Sequence, residues 1–544
     1  MRAVARPLAL HAVLVAWLVP LPVAAKERPG KEVPLRDLDT YVARVMREFD
    51  VPGIALAVVK DGQIVAARGY GVRRAGEAEA VGANTLFGIA SNTKAFTCAA
   101  LSILVEEKKL AWEDPVTEHL PGFQMYDPWV TRELTVLDLV THRSGLGLGA
   151  GDLMWWPPTT FTRGEIVRGV RHLEPASSLR SRYAYNNVTF VTAGEVVSAA
   201  AGRPWDDFVR ERILEPLGMS RTNTSVTVPA ADVAAPHLKL GGSERPIARM
   251  NFDNAAAAAG INSSASDLAR WALMLLECGR GKEPPAGETC VLQPDSIRRM
   301  WSAQTVQSTP DPPVGLEPLK AGFAAYGLGF GLRDYRGRKL VGHTGGLPGY
   351  VSQVALVPED RLGVVVLTNQ EETGAFLAVL YRVLDGFLGA PSPPVDWIAA
   401  FRKQADDESK KAEETVAKAK AARDLGARPS LPLARYAGRY RDAWYGEARV
   451  AEEEGHLVLT MTRTPGMVAD LEPWQYETFV ARWRQAFMSD SAPADAYVTF
   501  ALKPDGSVER VKLLPVSPAI DFSFDYQDLQ FEAVAPEARG GEAR

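Results

Sequence analysis

The sequence predicts an α+β or mixed-layer protein, not regular βαβ alternation, with antiparallel strands, a long helical region, and a separate small antiparallel β domain at the C-terminal end. Three observations predict it. Apolar Leu38, Tyr41, Val42, Val45, Met46 and Phe49 mark an amphipathic helix, and two apolar runs, Ile54 to Val59 and Ile64 to Ala67, flank a turn at Asp61-Gly62. That is a helix followed by a hairpin, not a βαβ unit. Helical segments come next, and strand-like texture returns only from Tyr326. Beyond Pro429 the chain becomes a series of short β-rich runs.

Taken in order, residues 1–25 carry a basic start (Arg2, Arg6), an apolar stretch from Leu8 to Leu21, and Val23-Ala24-Ala25 before Lys26. This is the pattern of a secretory signal peptide. The alternative is an uncleaved anchor, against which stand His11, Pro20, Pro22 and the shortness of the stretch. Export to a periplasm or to the outside follows, with no stable membrane span once the signal is removed. Residues 26–34 read as a linker and 35–392 as the main domain. In that domain, apolar runs predict helices over Val188 to Ala201, Trp205 to Ile213, Ser296 to Ser302 and Phe376 to Phe387. Ser266-Asp267 caps another helix, with Leu268, Trp271, Leu273, Met274 and Leu275 as its apolar positions. The Gly-rich stretch 147–160 reads as a loop, with Trp155 and Trp156 either lining a cleft or packing the loop down. Ala255 to Ala259 are small enough for a cleft floor, although close backbone packing is the commoner reason for such a run.

Residues 393–432 read as a charged, solvated linker helix. Six runs follow: Tyr436–Tyr440, Glu447–Val450, Leu457–Met461, Phe479–Val480, Tyr497–Leu502 and Val508–Leu513. They predict a β domain over 433–533, a barrel or a sandwich, with a disordered tail at 534–544.

The 544 residues, 46% of them hydrophobic, suffice for a large core and more than one domain, and the net charge of -5 gives no reason to expect a nucleic-acid partner. The 3 cysteines make no disulfide framework. Cys98 falls inside a helix and reads as a small buried apolar residue, while Cys278 and Cys290 flank a loop, and whether they pair stays open. The histidines are scattered, so no metal site is expected, and no cofactor is implied.

The stretch that organises the chain is Ser91-Asn92-Thr93-Lys94, at the head of an apolar helical run through Leu101, Leu104 and Val105. Three residues apart, Ser91 and Lys94 share one helix face. A serine at a helix start meets outward-pointing N–H groups, and a lysine one turn further in is partly desolvated and able to act as a base. Alone, a Ser-x-x-Lys match is weak. Two further motifs follow in order, Tyr185-Asn186-Asn187 and His343-Thr344-Gly345.

Together these resemble the active-site set of the serine β-lactamase and penicillin-recognising enzyme superfamily, in the class C-like branch that includes esterases and D-peptidases. Leu139 to Leu146 and Ser264 to Leu268 fit as supporting signatures. The resemblance spans about residues 35–390, and the tail resembles the small, sometimes lipocalin-like, β domain that some of these hydrolases append. It implies Ser91 as nucleophile, Lys94 and Tyr185 sharing the acid–base work, and an oxyanion hole from the N–H groups of Ser91 and Gly346. It also implies Asn187, His343, Thr344 and Gly345 as substrate contacts. His343 stands where the family usually has lysine. Histidine is mostly neutral at pH 7, which weakens the case for binding a substrate carboxylate. The function expected is therefore an exported serine hydrolase of short peptides, with D-residues among them, or of esters. The alternatives are a class C-like β-lactamase or peptidoglycan carboxypeptidase, and an inactive cell-wall or peptide-binding protein. The expected partners are a small-molecule or peptide substrate, cell-wall fragments included, and a second copy of the chain through the C-terminal domain.

Overall fold

The N-terminal hairpin and the last strands of the main domain meet in one sheet. In the computed structural model, which describes residues 35–282, 289–389 and 394–535, Ile54 pairs with Thr368 and Lys60 with Leu362. The signal, the first linker and nearly all of the tail lie outside the described residues. The sheet comprises β1 (Gly53–Lys60), β2 (Gln63–Gly71), β3 (Thr305–Val306), β4 (Ala324–Tyr326), β5 (Gly331–Tyr335), β6 (Arg338–Leu347), β7 (Tyr350–Val357) and β8 (Leu362–Thr368). Their order is β2-β1-β8-β7-β6-β5-β4-β3, antiparallel throughout.

β1 is apolar along its length because it is covered on both faces. Ile54, Leu56 and Val58 enter one core, and Ala55, Ala57 and Val59 enter the other. Helix α1 (Leu38–Glu48) buries Leu38, Val42 and Val45 in the first core. The second core receives α2 (Thr93–Glu106), α3 (Val188–Ala201), the short α4 (Ala256–Ala259) and α5 (Ala265–Cys278). Helix α2 is buried on every side, so its polar groups need partners. Thr97 donates to the Ala257 carbonyl at 2.6 Å and Ser102 to the Cys98 carbonyl at 2.8 Å. The cap of α5 is Ser264, whose side chain accepts the Asp267 N–H, so the helix begins two residues before the Ser266-Asp267 cap read from the sequence. Cys278, at the end of α5, is bonded to Cys290, and Cys98 is free and buried. Among the described residues no helix is long and apolar enough to cross a membrane.

After α6 (Thr373–Leu388) comes α7 (Trp397–Ala421). Its first turns are not a solvated linker. Trp397, Ile398 and Phe401 are buried against α6, and the Trp397 indole donates to Asp385 Oδ2 at 2.9 Å. Beyond Arg402 the helix is largely exposed, as the charge pattern predicts. The eight strands from Gly438–Asp442 to Phe531–Ala533 close into an antiparallel barrel filled by Tyr436, Tyr440, Phe479 and Phe500. Two barrel strands are absent from the sequence reading. Val468–Gln475 is interrupted by Asp470, Glu472 and Pro473, and Phe531–Ala533 has only 3 residues. The barrel is docked, not tethered. Arg463 covers the Phe161 ring at 3.9 Å and pairs with Glu165, and Asp490 accepts the Gly241 N–H.

Candidate active site

Ser91 sits in a 3-10 turn, Ala90–Asn92, that feeds directly into α2. Ala90 has φ +49°, a left-handed conformation that costs a non-glycine residue about 1 kcal/mol or more. The turn is held against the sheet. Asn92 donates to Ser352 Oγ at 2.8 Å, and Ser352 donates to the Ile89 carbonyl at 2.7 Å. Gly345 on β6 lies so close that a Cβ there would come within 2.2 Å of the Ile89 oxygen. The glycine of the third motif is thus what lets β6 approach Ser91.

Lys94 is fully buried. Its Nζ lies 3.0 Å from Ser91 Oγ, 2.7 Å from Asn187 Oδ1 and 3.1 Å from the Ala258 carbonyl. The alanine run therefore serves packing and site together: α4 fits closely between α2 and α3 and presents its carbonyls to Thr97 and Lys94. Burial brings the Lys94 amine down to about 7, against the opposing pull of Asp152. Tyr185 lies with its ring 4.8 Å from Lys94 Nζ and its phenol hydrogen-bonded to Ser91. Burial pushes that phenol far up, so it stays protonated.

His343 lines the cleft but is turned inward. Its Nδ1 faces the Thr344 carbonyl at 2.5 Å and must carry the proton, so Nε2, 3.0 Å away, accepts from the Tyr326 hydroxyl. Burial and the neighbouring Lys94 pull the imidazole down to about 3, so it is neutral over the whole working range. His142 is its counterpart on the other side of Tyr326. It is buried, it accepts the Asn186 N–H on Nδ1 at 3.1 Å, and it packs against the Tyr185 ring at 4.3 Å. Thr344 and Gly346 are exposed at the cleft, beside Ser91.

The cleft is part of a cavity of about 770 Å³ that runs from Ser91 past His343 to Leu377, Tyr381 and Phe401 of α6 and α7. Trp155 and Trp156 line it although each is only 3% exposed, so they both pack the loop down and form a wall. Sequence reasoning missed two contributors. Asp152 is fully buried, and Asn187 Nδ2 donates to its Oδ2 at 2.7 Å. It is the one charged residue between Arg143 and Arg163, a signal that was there to be found. The other contributor is the barrel segment Asp521–Asp525, whose Phe522 ring lies 5.9 Å from that of Tyr185. Nothing in its sequence marks it.

A family model for Beta-lactamase matches residues 38–386. The chain belongs to the Beta-lactamase family. A domain of unknown function (DUF3471) matches residues 422–533. Among similar proteins, an unguisins hydrolase from Aspergillus campestris is 30% identical over 506 residues, 88% of this chain and 89% of that one. Penicillin-binding protein 4 from Amycolatopsis lactamdurans is 28% identical over 360 residues, 64% of this chain and 88% of the relative. The octameric penicillin-binding protein homologue from Pyrococcus abyssi shares the fold across 91% of this chain and 99% of its own, with a TM-score of 0.57 and 22% identity. As a member of the Beta-lactamase family, the protein is a serine hydrolase of the acyl-transfer kind.

Proposed function

We propose that the enzyme forms an acyl-enzyme on Ser91 and cleaves short peptides, D-residues among them, or esters. The observation that carries this is the environment of Lys94 Nζ. A neutral amine has two N–H bonds and one lone pair. Asn187 Oδ1 and the Ala258 carbonyl can only accept, so they take the two N–H groups. The lone pair is left facing Ser91 Oγ at 3.0 Å. Lys94 is then the base, with its proton affinity brought near the working pH by burial. The Ser91 proton moves to Nζ as Oγ bonds to the substrate carbonyl carbon. The N–H groups of Ser91 and Gly346 hold the oxyanion, each donor contributing about 3 kcal/mol. Tyr185, still a phenol, gives its proton to the leaving amine or alcohol as that bond breaks, and recovers one from Lys94. Water repeats the sequence to release the acid.

The neutral His343 supports a substrate that needs no free carboxylate beside the scissile bond. The aromatic walls, Trp155, Trp156, Tyr183 and Phe522, support apolar side chains on it. The hydrolase name of the A. campestris relative agrees with turnover, not binding alone. The Cys278–Cys290 disulfide supports an exported enzyme, periplasmic or secreted. A fluorophosphonate should attach to Ser91, found by peptide mass mapping. A panel of L- and D-aminoacyl amides, esters and a penicillin should show faster release from the neutral amides or esters. A label elsewhere, or a penicillin as the best acyl donor, would refute this reading.

A further inference from the structure

We propose that Asp152 is the positioning acid of the site, the charge partner of Lys94 acting through Asn187, and that the barrel domain sets its charge through Ser523. This rests on the reading of Lys94 as base.

Asp152 is fully buried and takes three donors: the Trp155 indole on Oδ1 at 2.9 Å, and Asn187 Nδ2 and Ser523 Oγ on Oδ2 at 2.7 and 2.9 Å. Three donors and no acceptor suit an ionised carboxylate, and they oppose the burial that raises this carboxyl to about 7. Yet among the described residues it makes no ion pair. The basic group of the pocket is Lys94, which becomes a cation when it takes the Ser91 proton. It lies on the far side of the Asn187 amide, which accepts from the lysine with its oxygen and donates to the carboxylate with its nitrogen. A lone buried charge is costly, so anion and cation stabilise each other across that amide.

The other groups facing the pair do not compete as charges. Tyr185, Tyr326 and Cys98 are held protonated by burial, and His142 and His343 are held neutral by it. Asp525, from the same barrel segment as Ser523, accepts the Gly151 and Leu153 N–H groups at 2.6 and 3.2 Å, either side of Asp152. Burial and the proximity of Asp152 push it up, as burial also does Asp521 at the cleft. The barrel therefore fixes the acid-bearing loop at its backbone with Asp525 and favours the ionised form of its acid with Ser523.

The consequence is a basicity set from another domain. An ionised Asp152 makes Lys94 a better proton acceptor and lowers the cost of the ammonium formed as Ser91 attacks. Without the Ser523 hydroxyl, Asp152 ionises less readily and Lys94 holds its proton less tightly.

The test uses the full chain and the rate of fluorophosphonate attachment to Ser91 across pH 5–9, read by intact mass. Ser523→Ala should move the acid limb to lower pH by about half a unit and slow the plateau roughly threefold, because the base is weaker. Asp152→Asn should move the limb the same way by about one unit or more. Ser523→Thr, which keeps the hydroxyl, should leave the limb in place. If the limb stays put in Ser523→Ala, moves to higher pH, or moves equally in Ser523→Thr, the assignment is overturned. Should Asp152→Asn fail to fold, the Ser523 pair decides alone. A label that never reaches Ser91 in the unaltered chain refutes the proposed mechanism instead.

Discussion

The two walls of the cleft are built by opposite means. On one wall, Ser91, Lys94, Tyr185, Asn187 and Gly345 are placed by the regular elements of one domain: one helix turn, one loop before a helix, one strand that can approach because a side chain is missing. On the other, Phe522, Ser523 and Asp525 arrive from a different domain, more than 370 positions along the chain from the Asp152 loop. In the proposed mechanism the first wall performs the chemistry and the second adjusts it. A residue that reacts must sit within hydrogen-bond reach of its partner to about half an ångström, which rigid local elements guarantee. A residue that tunes acts through charge and shape, and can be delivered by docking.

If the walls divide the work in this way, changes on the first should be the more damaging. Ser91→Ala should abolish labelling and reduce turnover by about four orders of magnitude or more. Lys94→Ala and Tyr185→Phe should each lose several orders, and the double variant about the same again, not the product. Burst kinetics with a chromogenic ester measure all three. Next is Gly345→Ala. Its Cβ cannot coexist with the Ile89 carbonyl, so β6 must move off the Ser91 turn, with a loss of about a hundredfold in acylation rate. On the second wall, Phe522→Ala removes the ring that covers Gly149 and edges onto Tyr185. It should raise KM about tenfold with kcat changed less, since the ring bounds the cleft and does not react. If Phe522→Ala were as damaging to kcat as Gly345→Ala, the division between the walls would fail.

The smallest expected effect is on charge preference. With the imidazole neutral down to about pH 3, the ratio of rates for a substrate with a free carboxylate and for its amide should be flat from pH 5 to 9. Total activity should still fall on the acid side, near pH 7, as Lys94 takes up a proton and ceases to be a base. A ratio that climbs between pH 7 and 5 would mean that His343 turns out toward the substrate and titrates there.

What the sequence made legible follows from the same division. Helix spacing converts Ser91-x-x-Lys94 into adjacency, and an amphipathic run converts Leu38, Val42 and Val45 into a buried face, so both could be read directly. Pairing of Cys278 with Cys290 is not legible in the sequence, because only the fold brings them within 5.8 Å between Cα atoms. The inward turn of His343 could not be read, because it depends on Tyr326 from a neighbouring part of the sheet. In the first turns of α7 the sequence misleads, because charge dominates the rest of that helix and hides Trp397 and Phe401. The segment Asp521–Asp525 was invisible, since its role exists only once the barrel is docked.

Closure of the barrel carries a consequence for self-association. A closed ring of strands has no edge strand to lend to a neighbour, apart from the seam, where the 3-residue strand Phe531–Ala533 pairs with only Arg510 and Val511 of its longer neighbour. Away from that seam, copies that meet through this domain meet on strand faces that carry ion pairs such as Arg484 with Asp470 and Arg482 with Glu472. Any such assembly would be sensitive to ionic strength and separable by reversing one charge, with every strand left in place.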